Sequence, residues 1–341
     1  MNQILSSVFN KYCLEEDLNT YDPYDIWNTS YGQKVKKVYY KEKWLGIFPA
    51  AVLTLFDFYV NNNLRLGYKK RRYPIVQAYQ VLINIELYKR TFTSIYLDKA
   101  EQSLKWLSTN YSKGYHGICW GINMPWVSKI AVYNENVPHI THTPYVLEAF
   151  SSFQQVVGTN IYDGIIDGVL DFLERDLNKI INEKESLAIS YSPEQETRIV
   201  VNANSYAMLC YALLYKRDPF KVGMIKNRIR RLYNFLTASQ NVDGSWYYFA
   251  DSDSGNFIDC FHSCFVLKNI LKVNRLFTLP GCDKVVTNGY NYIKNNFWDK
   301  KRKLFRRFSI TDRPSLVKFD LYDNAEMLNL AHMLSDIELI G

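Results

Sequence analysis

The feature that most limits what this chain can fold into is an alternation of two kinds of helical segment. An amphipathic stretch, a loop carrying Gly and aromatics, and then a stretch that is apolar nearly all round recur roughly every 50–60 residues, longer than most solenoid periods. The first kind comprises "KWLGIFPAAVLTLFDFYVNN", "YLDKAEQSLKWLSTNY", "YDGIIDGVLDFLERDLNKII", "GMIKNRIRRLYNFLTAS" and "GCDKVVTNGYNYIKNNF". Apolar residues there fall at three- and four-residue steps, the pattern of a helix with one wet face. The second kind comprises "YPIVQAYQVLINIELYKR", "HTPYVLEAFSSFQQVV", "NANSYAMLCYALLYKR", "DCFHSCFVLKNILKV" and "LYDNAEMLNLAHML". Little charge lies between their ends, so they are expected to be buried on most sides. Outer amphipathic helices alternating with inner apolar ones predict an all-α fold, an α/α toroid or barrel of five to six helical hairpins with short β-like loops. An all-α solenoid is the alternative. Five hairpins are legible, and residues 1–40 are expected to supply part of a sixth or a plug. No Pro/Gly/Ser-rich linker breaks the composition, so 1–341 reads as one domain.

In a toroid the inner helices run the same way and their N-termini gather at one end of a funnel. Orphan N–H groups and the positive helix ends face that mouth, and polar residues at inner-helix starts line it rather than the core. Those starts carry His139, Thr141, His142 and Tyr145; then Asn202, Asn204 and Tyr206; then Asp259 and His262; then Asp320, Tyr322, Asp323, Asn324 and Glu326. The loops before them add Trp120, Trp126, Trp246, Tyr247, Tyr248, Arg306 and Arg307. From this set the candidate catalytic groups are His262, Asp259, His142, Asp323 and Glu326. The candidate substrate-binding groups are Trp120, Asn202, Asn204, Trp246, Tyr248, Arg306 and Tyr322. Each has a plainer role when taken singly, since Asn and Asp at a helix start are ordinary caps and a lone histidine on an apolar helix usually packs in the core. For that reason His332, deep in the last helix, is set aside. His142 and His262 stand out because both fall in the first turn of an inner helix. Alternation along "GSWYYF" predicts Trp246 and Tyr248 on one face and Tyr247 and Phe249 on the other.

Composition bears on the ligand. Aromatics make 16% of the chain, with 27 Tyr, and flat rings with a polar tip suit sugar faces; an AT-rich coding sequence would enrich the same residues. The 41 basic and 34 acidic residues leave a mild +7, compatible with an acidic polysaccharide. The clusters "YKKRRY" and "DKKRKLFRRF" read as solvated faces, and no nucleic-acid motif accompanies them. Six cysteines lack the paired spacing of a zinc site and read as small buried thiols, so no metal and no cofactor are expected. The start "MNQILSSVFNKYCLEED" lacks the layout of a signal peptide, and no uninterrupted apolar run reads as long enough to span a bilayer. The expected location is cytoplasmic.

Two resemblances follow. "QNVDGSW" (Gln240 to Trp246) resembles the QW repeat of terpene cyclases, which share the toroid of hairpins. "DSDSG" lacks an adjacent Asp pair and the prenyltransferase zinc set is missing, so this resemblance implies shared hairpin mechanics rather than shared chemistry. "DGSWYYF" followed by "NFIDCFHSCFVLKNIL" is similar to the C-terminal region of glucuronyl carbon-5 epimerases. With Asp22, Pro23, Tyr24 and Asp25, the run Phe261 to Leu267 also resembles the six-hairpin carbohydrate enzymes of bacterial surface-polysaccharide biosynthesis; Ser263 stands where Thr is expected. The resemblance implies an enzyme acting on a uronate-containing glycan by proton abstraction, as epimerase or lyase. That chemistry needs the carboxylate neutralised, by Arg306, Arg307, Asn202 or His142, and a base such as His262 or a nearby Tyr. Three alternatives stand beside it. One is a glycoside hydrolase using Asp259 with Asp323 or Glu326; the others are a non-catalytic glycan-binding protein and a terpene cyclase-like protein. The expected partner is an oligosaccharide or polysaccharide, with no nucleic acid and no membrane span.

Overall fold

Every segment read as helical contains a helix at its expected place, although the end of the 162–181 segment, from Lys179, is strand. The structure, a computed structural model, describes residues 12–14, 18–22, 24–128, 131–194, 196, 198–215, 217–253, 255–311 and 318–340. Pro23 of the "DPYD" start lies outside the described residues, as do 1–11 of the N-terminal segment. Contacts divide the chain into two units, residues 1–172 with 192–195 and residues 173–191 with 196–341. The described strands are two to four residues long and pair only in two-stranded ladders. All six cysteines are buried and free.

The first unit contains α1 (Ser30–Lys41), α2 (Lys43–Phe56, continued by a π-helical turn Asp57–Asn61 and by Asn62–Leu64), α3 (Pro74–Thr91), α4 (Ser94–Thr109), α5 (Thr143–Val157) and α6 (Asp163–Asp171). Apolar α3 and α5 lie side by side, with amphipathic α4 against α3 and α6 against α5. Prolines preset the first turns of α3 and α5, and Gly158 ends α5 in the left-handed conformation.

The second unit repeats the scheme. It contains a ladder β1 (Lys179–Asn182) and β2 (Leu187–Ile189), then α7 (Val201–Leu214), α8 (Val222–Ala238), β3 (Phe257–Asp259), α9 (Cys260–Leu276), α10 (Cys282–Phe297), β4 (Phe308–Thr311) and α11 (Leu321–Met333). Inner helices α7, α9 and α11 pack in a row, with α8 behind α7 and α10 behind α9. Burial follows the sequence texture. Along α7 every residue except Leu213 is buried, whereas α8 buries Ile225, Ile229, Leu232 and Leu236, the stripe of a one-sided helix.

Two expectations are corrected and a third is qualified. First, the tightly packed hairpins close from an inner helix to the following outer one. Only Phe92 and Thr93 separate α3 from α4, and the short connection forces antiparallel neighbours; the Gly/aromatic loops instead lead from each hairpin to the next. Second, the 43–62 segment is not the outer partner of α3. It packs on α1, where Gly46 lets the backbones approach: a Cβ there would fall 2.2 Å from Tyr39 Cα. Third, the uninterrupted apolar run ends at Asp57 as expected, but the helix that carries it runs on. Lys43–Leu64 is a continuous helix of 22 residues, long and apolar enough by length and composition to cross a membrane. In the sequence Asp57 interrupts it, but in the structure that carboxylate accepts the Tyr68 hydroxyl proton instead of ending the helix.

Candidate active site

The start of α9 is built by the strand before it. β3 pairs antiparallel with β4, Asp259 opposite Phe308, and Cys260 N–H donates to Arg307 O at 2.9 Å. This leaves Asp259 in extended backbone as the N-cap of α9. Its carboxylate accepts the His262 backbone N–H at 3.2 Å, and the His262 ring nitrogen Nδ1 lies 2.9 and 2.7 Å from its two oxygens. An ionised carboxylate only accepts, so Nδ1 carries the proton and Nε2 remains for exchange with a ligand. Asp259 is buried while His262 keeps part of its side chain open to solvent. One carboxylate therefore both caps a helix and fixes an imidazole.

Aromatic rings surround the imidazole. Phe261 and Tyr248 have their centroids 4.0 and 4.6 Å from it, and Tyr248 stacks on Phe257 at 4.7 Å. Beside it lies a pocket lined by Asn202, Trp246, Tyr247, Tyr248, Asp259 and His262, with Val201, Ser263 and Val266. The pocket encloses only about 10 Å³, room for about one water, and about 230 Å³ is empty once open solvent at its mouth is included. Asn202 is buried, and among the described residues its side-chain oxygen has no hydrogen-bond partner. A buried orphan acceptor on a pocket wall is a place for a ligand hydroxyl or a water.

Asp323, at the start of α11, is fully buried. Its Oδ1 accepts the Phe261 N–H at 3.1 Å, and its Oδ2 has no partner among the described residues. Burial, reinforced by the negative charge of Asp259, pushes its pKa up to about 8, so the carboxyl is protonated at neutral pH. Two carboxyls thus have different surroundings, Asp259 bonded to an imidazole and Asp323 buried with one oxygen unpartnered among the described residues. Asp323 is not among the residues lining the pocket.

The other candidates have different surroundings. Glu326 forms a buried ion pair with Lys268 that joins α11 to α9. Asn204 accepts from Ile189 N–H at 2.8 Å and donates to Val200 O at 3.0 Å, holding β2 against α7. Arg306 is turned to Asp299 at 2.8 Å, whereas Arg307 lies 5.8 Å from the Phe261 ring and 3.4 Å from Asp320. Tyr322 places its ring 5.5 Å from Phe261. In the first unit, Trp120 is buried and donates from Nε1 to Leu107 O at 3.0 Å. His142 stands at the N-cap of α5 with Thr141 Oγ1 3.2 Å from Nδ1, and burial lowers its pKa to about 4.

The structure therefore gathers Asn202, Trp246, Tyr248, Asp259 and His262 around one pocket and gives Asn204, Glu326 and Arg306 partners elsewhere. Tyr247 and Arg307, placed at the mouth by sequence position but not among the chosen candidates, belong to the same surroundings, as does Phe261. The expected alternation in "GSWYYF" is replaced by an irregular path: only Phe249 makes a bridge, to Val200, and Trp246, Tyr247 and Tyr248 all line the pocket. Without a ladder the two-residue period has nothing to enforce it. The QW-like turn is a brace. Gln240 donates to Gly244 O and Val285 O, each at 3.0 Å, and Trp246 Nε1 donates to Leu236 O at 2.8 Å near the end of α8.

No protein-family profile matches the chain, and no curated protein matches it. Solved structures do. The unsaturated glucuronyl hydrolase from Bacillus sp. GL1, described as responsible for the degradation of glycosaminoglycan, aligns with a TM-score of 0.55 at 11% identity, over 96% of this chain and 93% of that one. A family 105 glycoside hydrolase from C. acetobutylicum aligns with a TM-score of 0.55 at 14% identity, over 98% and 99%. A D-mannose isomerase aligns with a TM-score of 0.58 at 15% identity, over 78% and 71%. These likenesses define the fold: the chain is an α/α toroid of the glycosidase-like kind.

Proposed function

We propose that the protein is a carbohydrate-active enzyme that hydrolyses a uronate-containing glycan, with His262 as the proton-transfer group and Asp259 as the residue that orients it. The observation that carries the reading is the Asp259–His262 pair at the edge of an aromatic-walled pocket. A buried carboxylate on Nδ1 fixes the tautomer and supports the imidazolium, so Nε2 takes a proton from water or gives one to a leaving oxygen. Tyr247 and Tyr248 offer ring faces to a sugar, and the orphan oxygen of Asn202 accepts a sugar hydroxyl. Arg307, 5.8 Å from the Phe261 ring that packs on His262, offers a cation for a uronate carboxylate. Full-length likeness to an unsaturated glucuronyl hydrolase and a family 105 hydrolase favours hydrolysis over epimerisation or elimination.

A second reading is proton transfer within a sugar, as in the isomerase that shares the fold. It is favoured by one feature: Asp259 is the single carboxylate lining the pocket and is engaged with His262, whereas a two-carboxylate glycosidase needs both free. The test is incubation with unsaturated glucuronyl oligosaccharides, saturated uronate oligosaccharides and free mannose in heavy water. Loss of the unsaturated chromophore or new reducing ends supports hydrolysis. Deuterium in recovered sugar without cleavage supports the second reading. In either case His262→Ala should slow the reaction ~10²–10⁴-fold; full activity in that variant would remove His262 from the chemistry.

A further inference from the structure

Helix α2 exposes an apolar face that no described residue covers. Trp44 is 90% exposed, Phe48 75% and Tyr59 71%, with Val52 and Leu55 between them on the same side of the helix. The opposite side holds Gly46 against α1, and Asp57 accepts from Tyr68. This is far more contiguous apolar surface than a water-facing helix ordinarily carries.

Charge is concentrated around it. Between positions 34 and 72 there are ten basic residues and two acidic ones, a net of +8, against +7 for the whole chain. The remaining residues together thus carry −1, and the entire positive excess flanks this helix. Lys34, Lys37, Lys41 and Lys43 precede the apolar face and Lys69 and Lys70 follow it, all exposed. A cavity of about 280 Å³, lined in part by Ser30, Tyr31, Lys69 and Arg71 with Asp25 paired to Arg71, opens beside the same segment and gives room for a polar headgroup.

We propose that α2 seats the protein on an anionic lipid bilayer, lying in the plane of the interface with Trp44, Phe48, Val52, Leu55 and Tyr59 among the acyl chains and the flanking lysines on the headgroups. An apolar face ringed by Lys and bearing Trp at one end and Tyr at the other is the composition of an interfacial helix. Length alone would let α2 span the bilayer, but its packed side is strapped to α1, which carries Lys34, Lys36, Lys37 and Lys41. A transmembrane α2 would drag those charges into hydrocarbon, whereas an in-plane α2 leaves them at the surface.

The full chain is sedimented with vesicles of phosphatidylcholine, with and without phosphatidylglycerol, at low and high salt. Binding to the anionic vesicles, weakened by salt, is expected. Replacing Trp44, Phe48 and Tyr59 by Ser should weaken it at least ~tenfold, and each of Lys41, Lys43, Lys69 and Lys70 replaced by Ala about fivefold. All seven are exposed, so unchanged thermal unfolding confirms that the variants fold. Absence of binding to anionic vesicles, or binding indifferent to both sets of substitutions, overturns the proposal. So does a stable dimer by light scattering that the Trp44, Phe48 and Tyr59 substitutions dissociate, because a second copy is then the occupant. Retention in the membrane pellet after alkaline extraction overturns the in-plane arrangement.

Discussion

Asp323→Asn should make the protein less sensitive to alkaline pH, and the size of the effect follows from the site. The Asp323 carboxyl titrates near pH 8 in the fold against 3.8 in an exposed chain, through burial first and the neighbouring Asp259 charge second. Because the folded value is raised, the folded state holds a proton that the unfolded state has lost. The stabilisation is complete below about pH 4 and is lost as pH rises toward 8, by at most ~1.4 kcal/mol per pH unit. Over that window the ceiling is ~6 kcal/mol, and relaxation around the ionised group brings the expected figure to roughly 2–4 kcal/mol. Asparagine has the same shape, keeps an oxygen to accept the Phe261 N–H, and has no proton to lose. Its amide does place an N–H₂ where Oδ2 is unpartnered, but the protonated parent carries a donor O–H as well, so that cost nearly cancels. Urea unfolding of parent and variant from pH 5 to pH 9, followed by tryptophan fluorescence, isolates the difference, since other titrating groups are common to both. The gap between the curves should widen steadily from pH 5 to about pH 8, with the variant more stable, and level off above it. A gap that stays constant across that range would refute the argument.

Three further outcomes are expected. Asp259→Asn should change stability by less than about 0.5 kcal/mol, because Asn caps a helix as well as Asp. It should cost ~10²–10⁴ in turnover, because an amide no longer fixes the imidazole tautomer; thermal melts and turnover on the same preparations separate the two. Gly244→Ala should destabilise by more than ~2 kcal/mol in denaturant titration, since Gly244 has φ +92° and an added Cβ would lie 2.3 Å from Asn288 O. Lys268→Met should cost ~3–5 kcal/mol by leaving Glu326 buried and unpaired, and the further substitution Glu326→Leu should recover most of it.

The helices were legible because the two textures are a direct record of burial. A one-sided stripe such as Ile225, Ile229, Leu232 and Leu236 and an all-round apolar run such as 201–214 leave little freedom for period or class. Which helices pair was not legible, because periodicity marks the face of a helix and is silent about its partner. The loop lengths held that information: two residues between α3 and α4 permit only an antiparallel neighbour. The continuation of the 43–64 helix past its apolar run was hidden for a similar reason. Asp57 breaks the apolar run in one dimension, and only the Tyr68 hydroxyl, eleven residues on, tells which side of the helix that carboxylate occupies.

The site was legible to the extent that its residues sit at helix starts. Asp259 and His262 are three apart, the spacing at which a cap residue meets the N3 backbone N–H, so the contact between them is local and readable. Asp323 and Glu326 have the same spacing on α11, yet neither lines the pocket. Their surroundings are set across helices: Asp323 is bound to the Phe261 N–H sixty-two residues away in sequence, and Glu326 to Lys268 fifty-eight away. No local pattern distinguishes a carboxylate that faces a pocket from one that faces the next helix. What does distinguish them is the partner. An acid that has found a lysine in the core is spent on packing, as Glu326 is, while an acid whose one partner is a histidine with a second nitrogen still open passes its influence outward, as Asp259 does. If the proposed reading holds, substitutions should separate function from stability at Asp259 and His262 but not at Glu326.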